Sequence, residues 1–162
     1  MTATLPLSPA PVTCPNASRP ACTNDIPDCI ALVEDWMARC QWIPRSVTRP
    51  FVKRRVTFSI LAGHMRVLTD PEPNGAVAAF LSLDAENAQV RAVFSRTRGS
   101  ALGQKLLNEA KQDRDFLWFK TPFMDPLIQS FFRREGFVPI GGKSPMSDYP
   151  VAGLRMEWWR PQ

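Results

Sequence analysis

The sequence predicts an α/β fold with a mixed central sheet of about seven strands and helices on both faces. Three observations carry this. Along 162 residues, periodic segments follow one another as β-α-α-β-β-β-α-β-α-β-β, an interleaving that suits a single layered domain. Residues 76–83, AVAAFLSL, form an almost continuous apolar run, the mark of a central strand covered on both faces. Residues 93–111, VFSRTRGSALGQKLLNEAK, pass from a strand end at Phe94 through a glycine-bearing turn into an amphipathic helix. Strand, glycine turn and helix together aim free backbone N–H groups at an anion.

Taken in order, residues 1–16 are rich in Pro, Ser, Thr and Ala and read as a disordered or loosely packed tail; residues 17–162 form the folded domain. Residues 17–22 suit a short first strand. Asn24 or Asp25 can cap the first helix, with Pro27 in its first turn; Ile30, Val33, Trp36, Met37 and Cys40 mark its apolar face, and it ends before Pro44. The linker QWIPRS (41–46) leads into a basic second helix over 47–59, whose run Lys53, Arg54, Arg55 reads as a solvated face. A strand over 64–69 is followed by the turn DPEPNG (70–75), the apolar strand, a turn at 84–87 and a strand over 89–94. The helix of 99–112 has Leu102, Leu106, Leu107 and Ala110 on one side. Residues 116–119 are a buried strand. Asp125 is an N-cap with Pro126 behind it; Leu127, Ile128, Phe131 and Phe132 form the apolar face, and Gly136 ends the helix. A strand over 137–140, a loop over 141–150 and a final alternating strand over 151–159 complete the chain.

The net charge of +5 favours anionic partners such as nucleotide cofactors but does not choose among them. No recognition helix or stacking motif supports nucleic acid. No apolar run approaches the roughly 20 residues of a membrane span. The four cysteines, Cys14, Cys22, Cys29 and Cys40, form no CxxC, and His64 is the single histidine, so no metal site is expected. The cysteines read as free thiols of a cytoplasmic protein.

Two motifs carry a family resemblance. RGSALG (98–103) resembles the Arg/Gln-x-x-Gly-x-Gly/Ala signature of the GCN5-related N-acetyltransferases. IQSFFRREGF (128–137) is similar to that family's A-x-x-F-Y-x-x-x-G-F element. The resemblance implies acetyl-CoA as co-substrate, lying in a V-shaped cleft where the fourth and fifth strands splay. It implies that backbone groups near Ala92 and Val93 bond the pantetheine arm. Arg98, Gly99, Ser100, Ala101, Leu102, Gly103 and Gln104 would cradle the pyrophosphate, and Phe132 would stand beside the thiol. On the acceptor side it implies Trp42 as an apolar wall and Arg45 as an anchor for an anionic group; the alternative is that Trp42 plugs the core and Arg45 pairs with a structural carboxylate.

Three positions depart from the family pattern. Ala101 replaces the middle glycine: a strain of roughly 1 kcal/mol if the site needs positive φ, an advantage of similar size if it is helical. Phe132 replaces a tyrosine that protonates or hydrogen-bonds the departing thiolate, so Tyr149, the only tyrosine, is the candidate catalytic acid. Asp125 stands near an asparagine of many relatives and reads as a cap. Asp84, Glu86 and Glu157 are the carboxylates considered as bases, and His64, a lone histidine in a strand, reads as a surface or satisfied core residue rather than a catalytic one.

The resulting expectation is an acetyl-CoA (acyl-CoA)-dependent N-acyltransferase. It would move an acetyl group to an amine of a small molecule or protein by direct attack in a ternary complex, as a monomer or homodimer. The alternative, motivated by Ala101 and Phe132, is a degenerate relative that serves as a CoA-binding or interaction module.

Overall fold

The computed structural model describes residues 17–71, 75–97, 101–147 and 150–162. The elements are β1 (Arg19–Pro20), a 3-10 turn (Thr23–Asp25), α1 (Ile26–Arg39), α2 (Arg49–Leu61), β2 (Met65–Thr69), β3 (Val77–Asp84), β4 (Gln89–Ser95), α3 (Leu102–Lys111), β5 (Phe116–Pro122), α4 (Pro126–Arg134), β6 (Val138–Pro145) and β7 (Ala152–Trp159). They build the expected α/β architecture around one seven-stranded sheet in the order β1-β2-β3-β4-β5-β7-β6. Every neighbouring pair is antiparallel except β4 and β5. The sheet is therefore mixed, with its one parallel contact in the middle.

Two apolar layers flank the sheet. On one face Val67, Val77 and Phe80 pack with Cys29, Ile30 and Val33 of α1 and Val52, Val56 and Ile60 of α2. On the other, Leu81, Val90, Leu117, Phe119 and Met156 pack with Leu106 and Leu107 of α3 and Phe132 of α4. β3 feeds both layers, which is why its run of residues is buried almost throughout. α1 is also tied to β3 directly, because the Asp28 carboxylate accepts the Val77 N–H at 3.0 Å.

Local chemistry explains the element ends. Asp125 caps α4, its carboxylate accepting the Ile128 N–H at 3.2 Å, with Pro126 in the first turn. Gly136 ends the same helix at φ +89°, a conformation that favours glycine, with Trp158 against it. The last turn of α4 carries Arg133 and Arg134, which suit the negative helix end.

Four expectations change. The first strand is only Arg19–Pro20, because Ala21 already bonds Met65 and the chain turns at Thr23. Asp25 does not cap α1 with its side chain; it binds Arg19 at 2.7 and 2.8 Å and the Cys22 N–H at 2.8 Å. Leu127 lies outside the buried face of α4, 58% exposed. Residues 141–145, read as loop, continue β6 past a register irregularity between Ile140 and Ser144, with Gly141 at φ +70°. The proposed tail lies outside the described residues.

The Arg19 fork holds the Asp25 carboxyl below its usual range; the Cys22 N–H acts in the same direction and burial opposes both. A carboxylate with a lowered folded pKa contributes stability above its unfolded value of about 3.9, and that contribution fades as pH falls through the folded value. Asp25→Asn is expected to cost about 1–3 kcal/mol at pH 7. The gap between the two melting temperatures should close as pH falls below about 4. Thermal melts across pH read this directly; a gap that stays constant to pH 3 would exclude the ion pair as its source.

Candidate active site

The parallel contact between β4 and β5 is short. Its register consists of Gln89 with Trp118 and Val90 with Phe119, although both strands run on for several residues. Beyond Val90 they part, and the sheet opens into a V between residues 91–95 of β4 and 120–122 of β5.

The opening coincides with a bulge. In the β3–β4 ladder Ser82 faces Ala92 and Leu83 faces Val90, so Arg91 is the extra residue. An extra residue reverses the alternation of peptide groups. Below the bulge, Ala88 C=O accepts the Trp118 N–H at 3.0 Å, so even-numbered positions face β5. Above it, Arg96 N–H donates to Ala78 C=O at 2.8 Å, which puts Phe94 and Ala92 in register to bond β3. Val93 and Ser95 therefore turn their N–H and C=O groups into the V. Of the two expected backbone contacts, Val93 presents its peptide group to the opening and Ala92 presents its own to β3.

The start of α3 sits beside this edge. A Cβ built on Gly103 would lie 3.4 Å from Val93 Cγ1 and 3.5 Å from Phe131 Cζ, so the first turn of α3 is wedged between β4 and α4. Lys105 N–H makes an early helical bond, to Ala101 C=O at 2.9 Å; the N–H groups of Leu102, Gly103 and Gln104 precede it and have no intrahelical acceptor. Ala101 has φ −73° and ψ 5°, so its methyl group meets no positive-φ strain. Arg98, Gly99, Ser100 and Tyr149 lie outside the described residues.

Phe132 is fully enclosed. Its ring stacks on Phe119 at 4.1 Å and 9°, and meets Phe131 and Phe137 edge-on at 5.3 and 4.9 Å. In this structure it joins α4 to β5 and shows no surface to the V.

On the α1–α2 side an aromatic ladder reaches the V. Trp42 meets Trp36 at 5.7 Å, Trp36 meets Phe94 at 5.4 Å, and Phe94 meets Phe80 at 5.2 Å. Trp42 is half-buried at the outer end of the ladder, in the same linker as the exposed Arg45, which makes no ion pair among the described residues. Across the V on this face stands Lys120, whose ammonium donates to Pro145 C=O at 2.7 Å. From sequence, Trp36 could wall an apolar pocket or lie in the core, but its pairing with Phe94, some sixty positions away, needs the tertiary structure.

The carboxylates considered as bases are placed elsewhere. Asp84 and Glu86 flank the turn at the closed end of β4, about 20 Å along the strand from Ser95 at 3.3 Å per residue. Asp84 is held well below the usual carboxylate range by Asn87 and Arg91. Glu157 binds Arg155 at 2.8 Å and lies level with Trp118, below the opening. His64 stands at the far edge, before β2; its Nδ1 is buried and without a hydrogen-bond partner among the described residues. Among the described residues no cluster of metal-binding side chains occurs, and no helix is long and apolar enough to cross a membrane. Cys22 and Cys29 are free thiols, and burial pushes the Cys29 thiol up to about 12.

This is the fold of the GCN5-related N-acetyltransferases. A GNAT-family acetyltransferase from Bacillus cereus superposes with a TM-score of 0.65 at 12% identity, over 90% of this chain and 98% of that one. The apo form of YjaB from Escherichia coli gives 0.70 at 16% identity, over 87% and 95%. A ribosomal-protein-alanine N-acetyltransferase from Brucella melitensis gives 0.61 at 18% identity, over 90% and 100%. No protein-family model and no curated protein matches the sequence.

Proposed function

We propose that this protein is an acyl-CoA-dependent N-acyltransferase, most simply an N-acetyltransferase, with acetyl-CoA as co-substrate and no metal. The observation that carries this reading is the V itself: a parallel pair that parts after two residues, beside the start of a helix. Val93 and Ser95 would bond the amide groups of the pantetheine arm as a neighbouring strand would. The N–H groups of Leu102, Gly103 and Gln104, with Arg98 to Ala101 leading into them, would hold the pyrophosphate. The N–H of β4 nearest the thioester would stabilise its oxyanion. The neutral amine would attack the thioester carbonyl carbon in a ternary complex; a C–N bond forms as the C–S bond breaks, the amine nitrogen gives up a proton to solvent water, and the thiolate takes one.

Tyr149 is the proposed donor of that proton. A CoA-like thiol leaves with a pKa of about 8.5, so the acid accelerates the step without being indispensable. Trp42 would wall the acceptor pocket and Arg45 anchor an acidic group, which selects amino-acid-like amines over polyamines.

Acetyl-CoA at 100 times its dissociation constant should add about 2.7 kcal/mol of stability, a rise of roughly 5–10 °C in Tm. Ala101 is exposed at the head of α3, so Ala101→Glu should fold normally while setting a carboxylate against the pyrophosphate, and the rise should vanish. A parent melt that does not move at millimolar acetyl-CoA would sink the cofactor reading.

Tyr149→Phe should lower kcat about 10²-fold with acetyl-CoA affinity unchanged. An unchanged kcat would assign the proton to solvent. Acetyl-CoA binding without turnover on any amine would instead support the binding-module reading.

Arg45→Ala should raise KM for carboxylated acceptors, leaving cofactor binding and melt unaltered. A lowered melting temperature with no change in acceptor preference would show a structural arginine and end the amino-acid assignment.

A further inference from the structure

The bulge that opens the V has its own fastening. Arg91, the extra residue of β4, reaches back along the strand, and its Nη2 donates to Asp84 Oδ2 at 2.9 Å. The same carboxylate takes the Asn87 side-chain amide at 2.8 Å and the Asn87 N–H at 3.3 Å. One carboxylate, in a residue only 6% exposed, thus closes the 85–88 turn and holds the bulged arginine. That turn also grips β5: the Trp118 N–H donates to Ala88 C=O at 3.0 Å and its indole N–H to Asn87 C=O at 2.8 Å. From the other side the Arg155 guanidinium lies 4.1 Å from the Trp118 ring centre. All these contacts gather at the apex of the V, where pairing stops, and neither Asp84 nor Arg91 is among the groups assigned to cofactor or acceptor.

We propose that Arg91 and Asp84 are a positioning pair for cofactor binding: by pinning the extra residue, they hold β4 in the phase that turns Val93 and Ser95 into the V. The inference rests on the acyl-CoA reading of that cleft. Its physical basis is the parity change. With the extra residue absorbed, the even positions above Val90 would face β5, as Ala88 does, and the pair could zip onward. The side chains would also exchange faces, since a shift of one residue moves every side chain across the sheet. Phe94 would leave Trp36 and Phe80, and Val93 would leave Gly103. Packing therefore favours the bulge, and the ion pair fixes where it sits. Arg91 suits the task because its fork reaches a carboxylate placed before the turn while its own backbone stays in the strand.

The test uses three variants of the full chain. Arg91→Met keeps a long stem and removes the charge. Arg91→Lys keeps the charge without the fork. Asp84→Asn serves if Arg91→Met folds poorly. Backbone amide exchange is measured in the unliganded protein, and the affinity for coenzyme A by calorimetry. In the parent, the Val93 amide should exchange much faster than that of Phe94, whose N–H is in register to bond β3. Arg91→Met and Asp84→Asn should erase that alternation and weaken coenzyme A binding about tenfold, the effect of losing roughly one hydrogen bond; Arg91→Lys should recover part of both. A lower melting temperature with the alternation and the affinity intact would overturn the proposal, leaving the pair as a brace for the turn. A parent that binds no coenzyme A would overturn the cleft reading and the positioning role with it, whatever the exchange pattern shows.

Discussion

The structure depends on a hydrogen-bond ladder that stops early. A parallel strand pair ordinarily runs the length of both strands, because each unpaired peptide group in a sheet interior goes unsatisfied. Here β4 and β5 share only the pairs at Gln89 and Val90, yet each is well bonded on its outer side, β4 to β3 and β5 to β7. The gap is therefore an opening in the middle of a sheet rather than a frayed edge. Its peptide groups must be met by water or by a ligand that imitates a strand, and an extended chain of amide groups does so. The start of α3, alongside, supplies the complementary charge for an anion at the end of such a chain.

An interrupted sheet needs other means of staying together. The apolar layers provide them: the α3–α4 layer spans the gap, and the α1–α2 layer holds the β4 side of it. On the α3–α4 side, Phe132 stacks on Phe119 of β5 while Phe131 reaches Gly103 beside Val93 of β4. On the α1–α2 side, Phe94 of β4 is held by Trp36 and Phe80. Stacked and edge-on aromatic pairs are worth about 0.5–1.5 kcal/mol each beyond their buried area. Three such ring contacts, Phe119–Phe132, Trp36–Phe94 and Phe80–Phe94, lie beside the V and wall it where its ladder is missing.

Much of this was legible in the sequence, and the parts that were not share a cause. The order of elements along the chain, the Asp125 cap, the Gly136 stop and the buried run of β3 follow from local signals: periodicity, turn chemistry and the positional preferences of Asp, Pro and Gly. The strand–glycine–helix stretch pointed to the candidate site by the same logic. The bulge left no such trace, because Arg91 is an ordinary strand residue until its partner in β3 is known. The Arg19–Asp25 fork was hidden in the same way: a cap preference at Asp25 was visible, but a stronger acceptor role toward an arginine six residues earlier was not. Phe132 is the reverse case. Its motif position suggested a place beside the thiol, whereas its enclosure follows from three phenylalanines that come together only after β5, α4 and β6 have packed.

The burial of Phe132 bears on how proton transfer could be arranged. A hydroxyl at a fully enclosed ring costs about 1–3 kcal/mol unless it finds a partner, and the surroundings of Phe132 are carbon. The Phe132 position on the α3–α4 side is thus apolar and offers no proton. On the proposed reading the donor must approach from the opposite wall, made by β5, β7 and the β6–β7 connection. There Gly153 is needed for close packing: a Cβ on it would lie 2.5 Å from Met146 Cγ and 3.0 Å from Lys120 Cε. Met146 and Lys120 lie across the sheet at that point, and the chain leading on from Met146 carries Tyr149. On that reading a dry phenylalanine wall on one side and the connection that carries Tyr149 on the other would divide the work of the cleft, one excluding solvent and the other handling the proton.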